Sequence, residues 1–227
     1  PIQLTPCVIP KPWGREVWYT GIEKRGVSRV HSAGGASLLP YALGMFPVPI
    51  MGEKETPLIL VKALEPLPEP VYGDLYLEVH REKWETYVVL EVSRAAWPDG
   101  VGWLRAGLHP DVMDAYRARH GKQWEERLGA DLVLAIRVYE QVRRRIDEQL
   151  DEALRERGVD PQQPVAPELH RELLVTLPAA LRGHEEQRRA AVEQFVGRVP
   201  LREGSVVTLP PGVLHSLQHG VKAIEFQ

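Results

Sequence analysis

Gly204-Ser205-Val206-Val207-Thr208-Leu209-Pro210-Pro211-Gly212-Val213-Leu214-His215 is the stretch on which the reading of this chain turns. Val206 to Leu209 is short, apolar and β-branched, the composition of a strand. Pro210-Pro211-Gly212 predicts a tight turn, since proline presets φ and glycine accepts backbone that other residues resist. The chain then returns through Val213 to Gln218, and the fixed turn aims His215 at a defined place. A histidine in such a run, taken alone, is also what a satisfied core histidine looks like.

Upstream lies a second stretch rich in chemistry, Glu78-Val79-His80-Arg81-Glu82-Lys83-Trp84-Glu85. Residues two apart in a strand share a face, so Glu78 and His80 point the same way. Glu85 opens the next run, Glu85 to Val92. A tight turn at Arg81–Trp84 is expected to bring Glu85 back beside the pair as a hairpin. Two carboxylates and an imidazole would then converge, a set suited to a borderline or hard divalent cation. Without a partner from elsewhere, the same residues also describe a charged, solvated hairpin.

Around these stretches the chain changes texture twice. Residues 1–108 are rich in proline, glycine, valine and aromatics, with short runs read as strands at 57–64, 75–80 and 85–92 and a proline-rich break at 65–70. Residues 109–197 have a helical texture. No proline occurs between Pro110 and Pro161. Trp124, Leu128, Leu132, Ile136, Tyr139, Val142, Ile146, Leu150 and Leu154 recur at three- and four-residue steps, the period of one helical face. Gly158 is the expected stop. A second helical stretch over 168–196 is expected to break at Pro178 and Gly183. Residues 198–227 return to strands. The two β ends are each too short to cover their own faces, so they are expected to form one β unit with residues 109–197 as a helical insertion.

Composition narrows the function classes. The chain has 227 residues, with 28 Lys+Arg against 31 Asp+Glu and a formal charge of −3. That near balance gives no reason to expect a nucleic acid or a membrane surface as partner. One cysteine, Cys7, excludes an internal disulfide and a zinc site built on cysteines. No apolar run is long enough to span a bilayer and no basic-then-apolar leader opens the chain, so a soluble, cytoplasmic protein is expected. The chain starts without Met and stops inside a strand, as an excerpt of a longer protein does.

Together the two chemical stretches resemble the cupin superfamily. Its second motif, Gly-(x)5-Pro-x-Gly-(x)2-His, is matched without a gap by 204–215. Its first motif, two histidines two apart with a following glutamate, is similar to Glu78-x-His80-(x)4-Glu85, with Glu78 replacing the first histidine. Within cupins the chain resembles type I phosphomannose isomerases (mannose-6-phosphate isomerases). Pro10-Lys11-Pro12-Trp13-Gly14 is similar to their Pro-x-x-Trp-Gly, and Leu60-Val61-Lys62 to their Leu-Val-Lys. Lys83 to Glu91 is similar to the Lys-x-Glu run, Pro210 to Ser216 to Pro-x-Gly-x-x-His-Ala, and Glu225-x-Gln227 to Glu-Ile-Gln. The resemblance implies a mainly β fold with an α insertion: a cupin-type β-barrel, or jelly roll, interrupted by the helical block.

It also implies an aldose–ketose isomerase of carbohydrate metabolism that interconverts mannose 6-phosphate and fructose 6-phosphate through an enediol. A cupin enzyme acting on another sugar and a non-catalytic sugar-binding cupin are the alternatives. The implied metal ligands are Glu78, His80, Glu85 and His215. One divalent metal is expected, zinc first, with manganese or iron favoured by the extra carboxylate of Glu78, which stands where the family has Gln. Lys83 and Lys62 are the candidate catalytic lysines, for proton transfer or for the phosphate of a phosphorylated sugar. A homodimer paired at sheet edges fits such folds. Two differences stand out. The family's His-Pro-Asp-Asp loop is missing between His80 and Glu85, and its downstream substrate-binding Arg lies past the last residue of this sequence.

Overall fold

A computed structural model of the chain describes residues 3–11, 13–20, 26–43, 60–70, 77–162 and 165–227. Most of the site-bearing structure is one six-stranded antiparallel sheet. Its strands are β2 (Cys7–Lys11), β3 (Gly14–Tyr19), β6 (Val61–Pro66), β7 (Glu85–Val92), β10 (Val206–Leu209) and β12 (Val221–Phe226), in the order β10-β7-β12-β6-β3-β2. The last strand of the chain thus lies between β6 and β7, and residues far apart in sequence become direct neighbours.

A second sheet, β11-β8-β9, is formed by β8 (Gly102–Leu108), β9 (Val196–Leu201) and β11 (His215–Leu217). The two sheets share a core. Leu64, Tyr87, Val89, Leu209, Val221 and Ala223 of the large sheet pack with Leu104 and Leu201 of the small one. Strand β7 shows why. Glu85, Tyr87 and Val89 alternate inward, as period two requires. Opposite Lys222 and Ala223 the register slips, and Leu90 is the extra residue. That bulge advances the phase, so Val92 faces the core. A third sheet, β1 (Gln3–Thr5), β4 (Arg29–Ser32) and β5 (Gly35–Leu38), is largely exposed.

Helices lie between β8 and β9. After the short α1 (Leu39–Leu43) come α2 (Pro110–His120), α3 (Trp124–Glu156), α4 (Pro167–Thr176) and α5 (Ala179–Glu193). His109 caps α2, its Nδ1 accepting from the Asp111 N–H. The apolar stripe of α3 buries Leu128, Tyr139, Val142, Ile146, Leu150 and Leu154. Four of these form a separate core with Leu173 and Leu177. Nearer the sheets, Tyr139 and Val192 pack on Leu77. No helix among the described residues is long and apolar enough to cross a membrane.

Several local expectations need correction. The strand expected over 57–64 runs from Val61 to Pro66, so Glu65 and Pro66 end it instead of breaking it; residues 57–59 lie outside the described residues. Among the described residues, no hairpin joins 77–80 to β7. Residues 75 and 76 lie outside the described set, and of Leu77 to His80 only Glu78 makes a bridge, to His215. Its backbone groups are taken by β11, which leaves β7 to β10 and β12. Gly183 does not interrupt α5, whereas Pro178 does separate it from α4. Proline lacks the N–H a helix interior needs; glycine keeps it.

Candidate metal centre

Three segments bring the implied ligands together. Glu78 and His215 exchange both backbone hydrogen bonds, each 2.9 Å. The turn before His215 is tied down as well, because Gly212, at φ +84°, donates its N–H to the His80 carbonyl at 2.7 Å. That positive φ is why glycine stands there. Glu85 begins β7 and points inward. One ligand-type atom from each of Glu78, His80, Glu85 and His215 lies within 4.8 Å of the others.

Glu85 is the hub and is only 1% exposed. Its Oε2 accepts from the Tyr87 hydroxyl at 3.0 Å and lies 2.8 Å from His215 Nε2. Its Oε1 lies 3.0 Å from His80 Nε2 and 2.6 Å from Lys83 Nζ. Neither approach has hydrogen-bond geometry, so His80 Nε2 and Glu85 Oε1 are buried polar atoms without a hydrogen bond. His215 Nδ1 faces the Val213 carbonyl at 2.9 Å, which turns Nε2 inward when Nδ1 carries the proton. Glu78 Oε2 is 3.3 Å from His80 Nε2, and its side chain is half exposed.

The electrostatics follow from this crowding. Burial, the largest influence, pushes the Glu85 carboxyl up. His215 and Lys83 outweigh it and hold the group well below the usual carboxylate range. Burial pushes His215 down, but the bonds to Glu85 and Val213 raise it overall. Burial first, and then the charges of Glu225 and Glu85, raise the Tyr87 hydroxyl far above the ordinary tyrosine value, so it remains a neutral donor. Burial also lifts Glu225 to about 8, with Lys62 opposing.

A cavity opens beside the cluster, with Trp13, Lys62, Glu78, Tyr87, His215 and Glu225 on its wall. Lys62, Glu225 and Tyr87 of that wall lie in one cross-strand row, Lys62 opposite Glu225 and Glu225 opposite Tyr87, and buried Trp18 continues it opposite Lys62. Lys62 Nζ pairs with Glu225 Oε1 at 3.3 Å and lies over the Trp18 ring. Lys83 lies against Glu85 and donates to Gln227 Oε1 at 2.7 Å. Trp13 both packs on the sheet core and lines this cavity. Tyr87 was missed as a site residue in the sequence, although it shares the parity of Glu85 on β7. Glu225 and Gln227 carried a resemblance there but no role.

The donor set fits a divalent cation. Two imidazoles and two carboxylates are borderline-to-hard donors, four in number as zinc takes; manganese and iron accept the same donor types but take more ligands. His80 Nε2 and Glu85 Oε1, 3.0 Å apart and both buried without a hydrogen bond, lie where an ion would satisfy them.

No family model matches the sequence, and no curated protein matches it. Solved structures do resemble the fold. The mannose 6-phosphate isomerase from Bacillus subtilis superposes with a TM-score of 0.53 at 14% identity, over 100% of this chain and 58% of that one. Two variants of the phosphomannose isomerase from Salmonella typhimurium give TM-scores of 0.52 and 0.51 at 12% identity, over 99% of this chain and 67% of theirs. The chain thus spans little more than half the length of the Bacillus enzyme. It has the cupin fold of the type I phosphomannose isomerases, with the helical block between its strands.

Proposed function

We propose that the chain carries the metal-dependent site of a sugar isomerase, with mannose 6-phosphate and fructose 6-phosphate as its substrate pair. The observation that carries this reading is the convergence of Glu78, His80, Glu85 and His215 beside a cavity lined by both charged and apolar side chains. The likeness of fold supports it. Zinc is the metal we propose first. Glu78 adds a carboxylate that favours manganese or iron.

A bound divalent ion supplies Lewis acidity toward the substrate's carbonyl and hydroxyl oxygens. The rest falls to the protein's own groups. The reaction moves one proton between C1 and C2 and a second between their oxygens, so a group must hold each proton for an instant. Lys83, fixed between Glu85 and Gln227, and the Lys62–Glu225 pair on the cavity wall are the groups we assign to that traffic. Trp13 and Leu64 give the cavity an apolar side that limits water.

A second reading has its own support. Lys11, Lys62 and Lys83 are each already engaged by a carboxylate, Glu16, Glu225 and Glu85. Such pairs read hydroxyl groups as readily as phosphate, which favours a cupin acting on an unphosphorylated sugar, or binding one without turnover. One experiment separates them. The purified protein is loaded with zinc or manganese and assayed for fructose 6-phosphate formation, with melting temperature followed against mannose and mannose 6-phosphate. Turnover supports the isomerase. A shift with mannose and no turnover supports the second reading, and no shift with mannose defeats it. No metal bound after either addition defeats the isomerase.

A further inference from the structure

We infer that Tyr87 is the positioning residue of the metal centre, holding Glu85 and His215 in their ligating orientations; this rests on the metal-centre reading above. Tyr87 stands two residues after Glu85 on β7, so both side chains enter the interior from the same strand. It is 5% exposed. Its hydroxyl donates to Glu85 Oε2 at 3.0 Å, and its ring meets the His215 ring edge-on with centroids 6.4 Å apart. One side chain therefore touches two of the four ligands.

The division of labour on Glu85 makes the contact directional. With Oε2 held by Tyr87 and His215, Oε1 is turned toward His80 Nε2 and Lys83 Nζ, and Oε1 and His80 Nε2 are buried without a hydrogen bond. Rotation of the carboxylate would break the bond from Tyr87 to an almost fully buried group. Tyr87 is itself fixed, packed in the shared sheet core and directly opposite Glu225 on β12. Outer partners of this type commonly set ligand orientation and metal affinity.

The test is Tyr87→Phe, which removes one oxygen. Zinc and manganese affinities are measured by competition with a chromophoric chelator, and the cobalt-loaded protein is examined by visible absorption. The expected result is a Kd raised about 10- to 100-fold and a shifted cobalt band. The melting temperature of the loaded protein should then fall by more than that of the metal-free protein. A merely structural tyrosine lowers both melting temperatures equally and leaves Kd within twofold; that outcome overturns the inference. Should Y87F fold too poorly to titrate, site-specific fluorotyrosine at position 87 strengthens the donor at almost constant shape, and an unmoved cobalt band and Kd overturn it equally. A wild-type protein that binds no metal defeats the metal-centre reading itself. Binding by wild type with equal binding by Y87F defeats only the role of Tyr87.

Discussion

Glu85→Gln keeps the shape of the hub residue and deletes its charge. In the metal-free protein that carboxylate faces Lys83 at 2.6 Å, His215 at 2.8 Å and Tyr87 at 3.0 Å while almost fully buried. Removing one partner of a buried ion pair costs roughly 3–5 kcal/mol, because the other charge stays behind without compensation. Lys83 is about one-third exposed and can recover some hydration, and the glutamine carbonyl still accepts one hydrogen bond. The lower end, about 3 kcal/mol, is therefore the expected loss. For a chain of this length, that is a fall in Tm of about 6–12 °C. Chelator-treated wild type and variant are compared by calorimetry and by urea unfolding, with unchanged m confirming that the same surface is exposed. An E85Q protein melting within about 2 °C of wild type would refute the reasoning, since about 1 kcal/mol or less would then rest on the charge.

Other perturbations probe the frame around the site. Gly102→Ala would drive a Cβ into Val221 Cγ2, and Val221 has no exposed surface to retreat into; a loss of about 1–3 kcal/mol is expected in urea unfolding. Glu65 is held below the ordinary carboxylate value first by the hydrogen bond from Lys222 at 2.8 Å and also by Arg15, against the opposing effect of burial. Its contribution is present above the unfolded value of about 4.3 and is lost as pH falls through the lower folded value, so urea midpoints of wild type and Glu65→Gln should converge in acid. Equal midpoints for the two proteins at neutral pH would show that the pair adds nothing. Leu150→Ala and Leu77→Ala form a matched pair. Leu150 lies in the separate helical core, and its loss should cost about 2–5 kcal/mol in unfolding while leaving metal affinity within twofold. Leu77 packs on Tyr139 and Val192 immediately before Glu78, and its truncation should weaken metal binding as well. Equal effects of the two on metal affinity would contradict treating residues 109–197 as an insertion on a β unit of 1–108 and 198–227.

What was legible in the sequence was local. The turn at Pro210–Gly212 writes its geometry in residue types that few other conformations use, so the placement of His215 could be read directly. The stripe of α3 was equally open, since a period repeated over many turns drowns single exceptions. Strand β7 announced itself by alternation, yet its bulge at Leu90 did not, because a bulge is chosen by the partner strand. The Glu78 segment failed for the same reason. Its residues suit a strand, but the edge it joins belongs to β11, more than a hundred residues onward, and nothing in 75–85 specifies that choice. The row Trp18, Lys62, Glu225, Tyr87 was hidden likewise. Each residue is ordinary in its own strand, and only the strand order makes them neighbours.

That dependence on strand order has an energetic consequence. Every described partner of Glu85 except Tyr87 and the flanking Lys83 and His80 comes from the far end of the chain: His215 directly, and Gln227 through Lys83. Glu85 is a buried anion only once β12 has entered between β6 and β7 and β11 has closed over Glu78. Before then, the carboxylate and its cationic neighbours are solvated and their mutual attraction is weak. The site therefore cannot form ahead of the fold, and a ligand that occupies it stabilises the assembly of both β ends at once. The helical block shares in this through Leu77, one residue from Glu78; away from the site it is tied to the small sheet where Arg105 of β8 pairs with Glu193 of α5 at 2.9 Å. The packing at Leu77 is placed to steady Glu78, the most exposed member of the cluster, which is held by a single bridge and not by a strand.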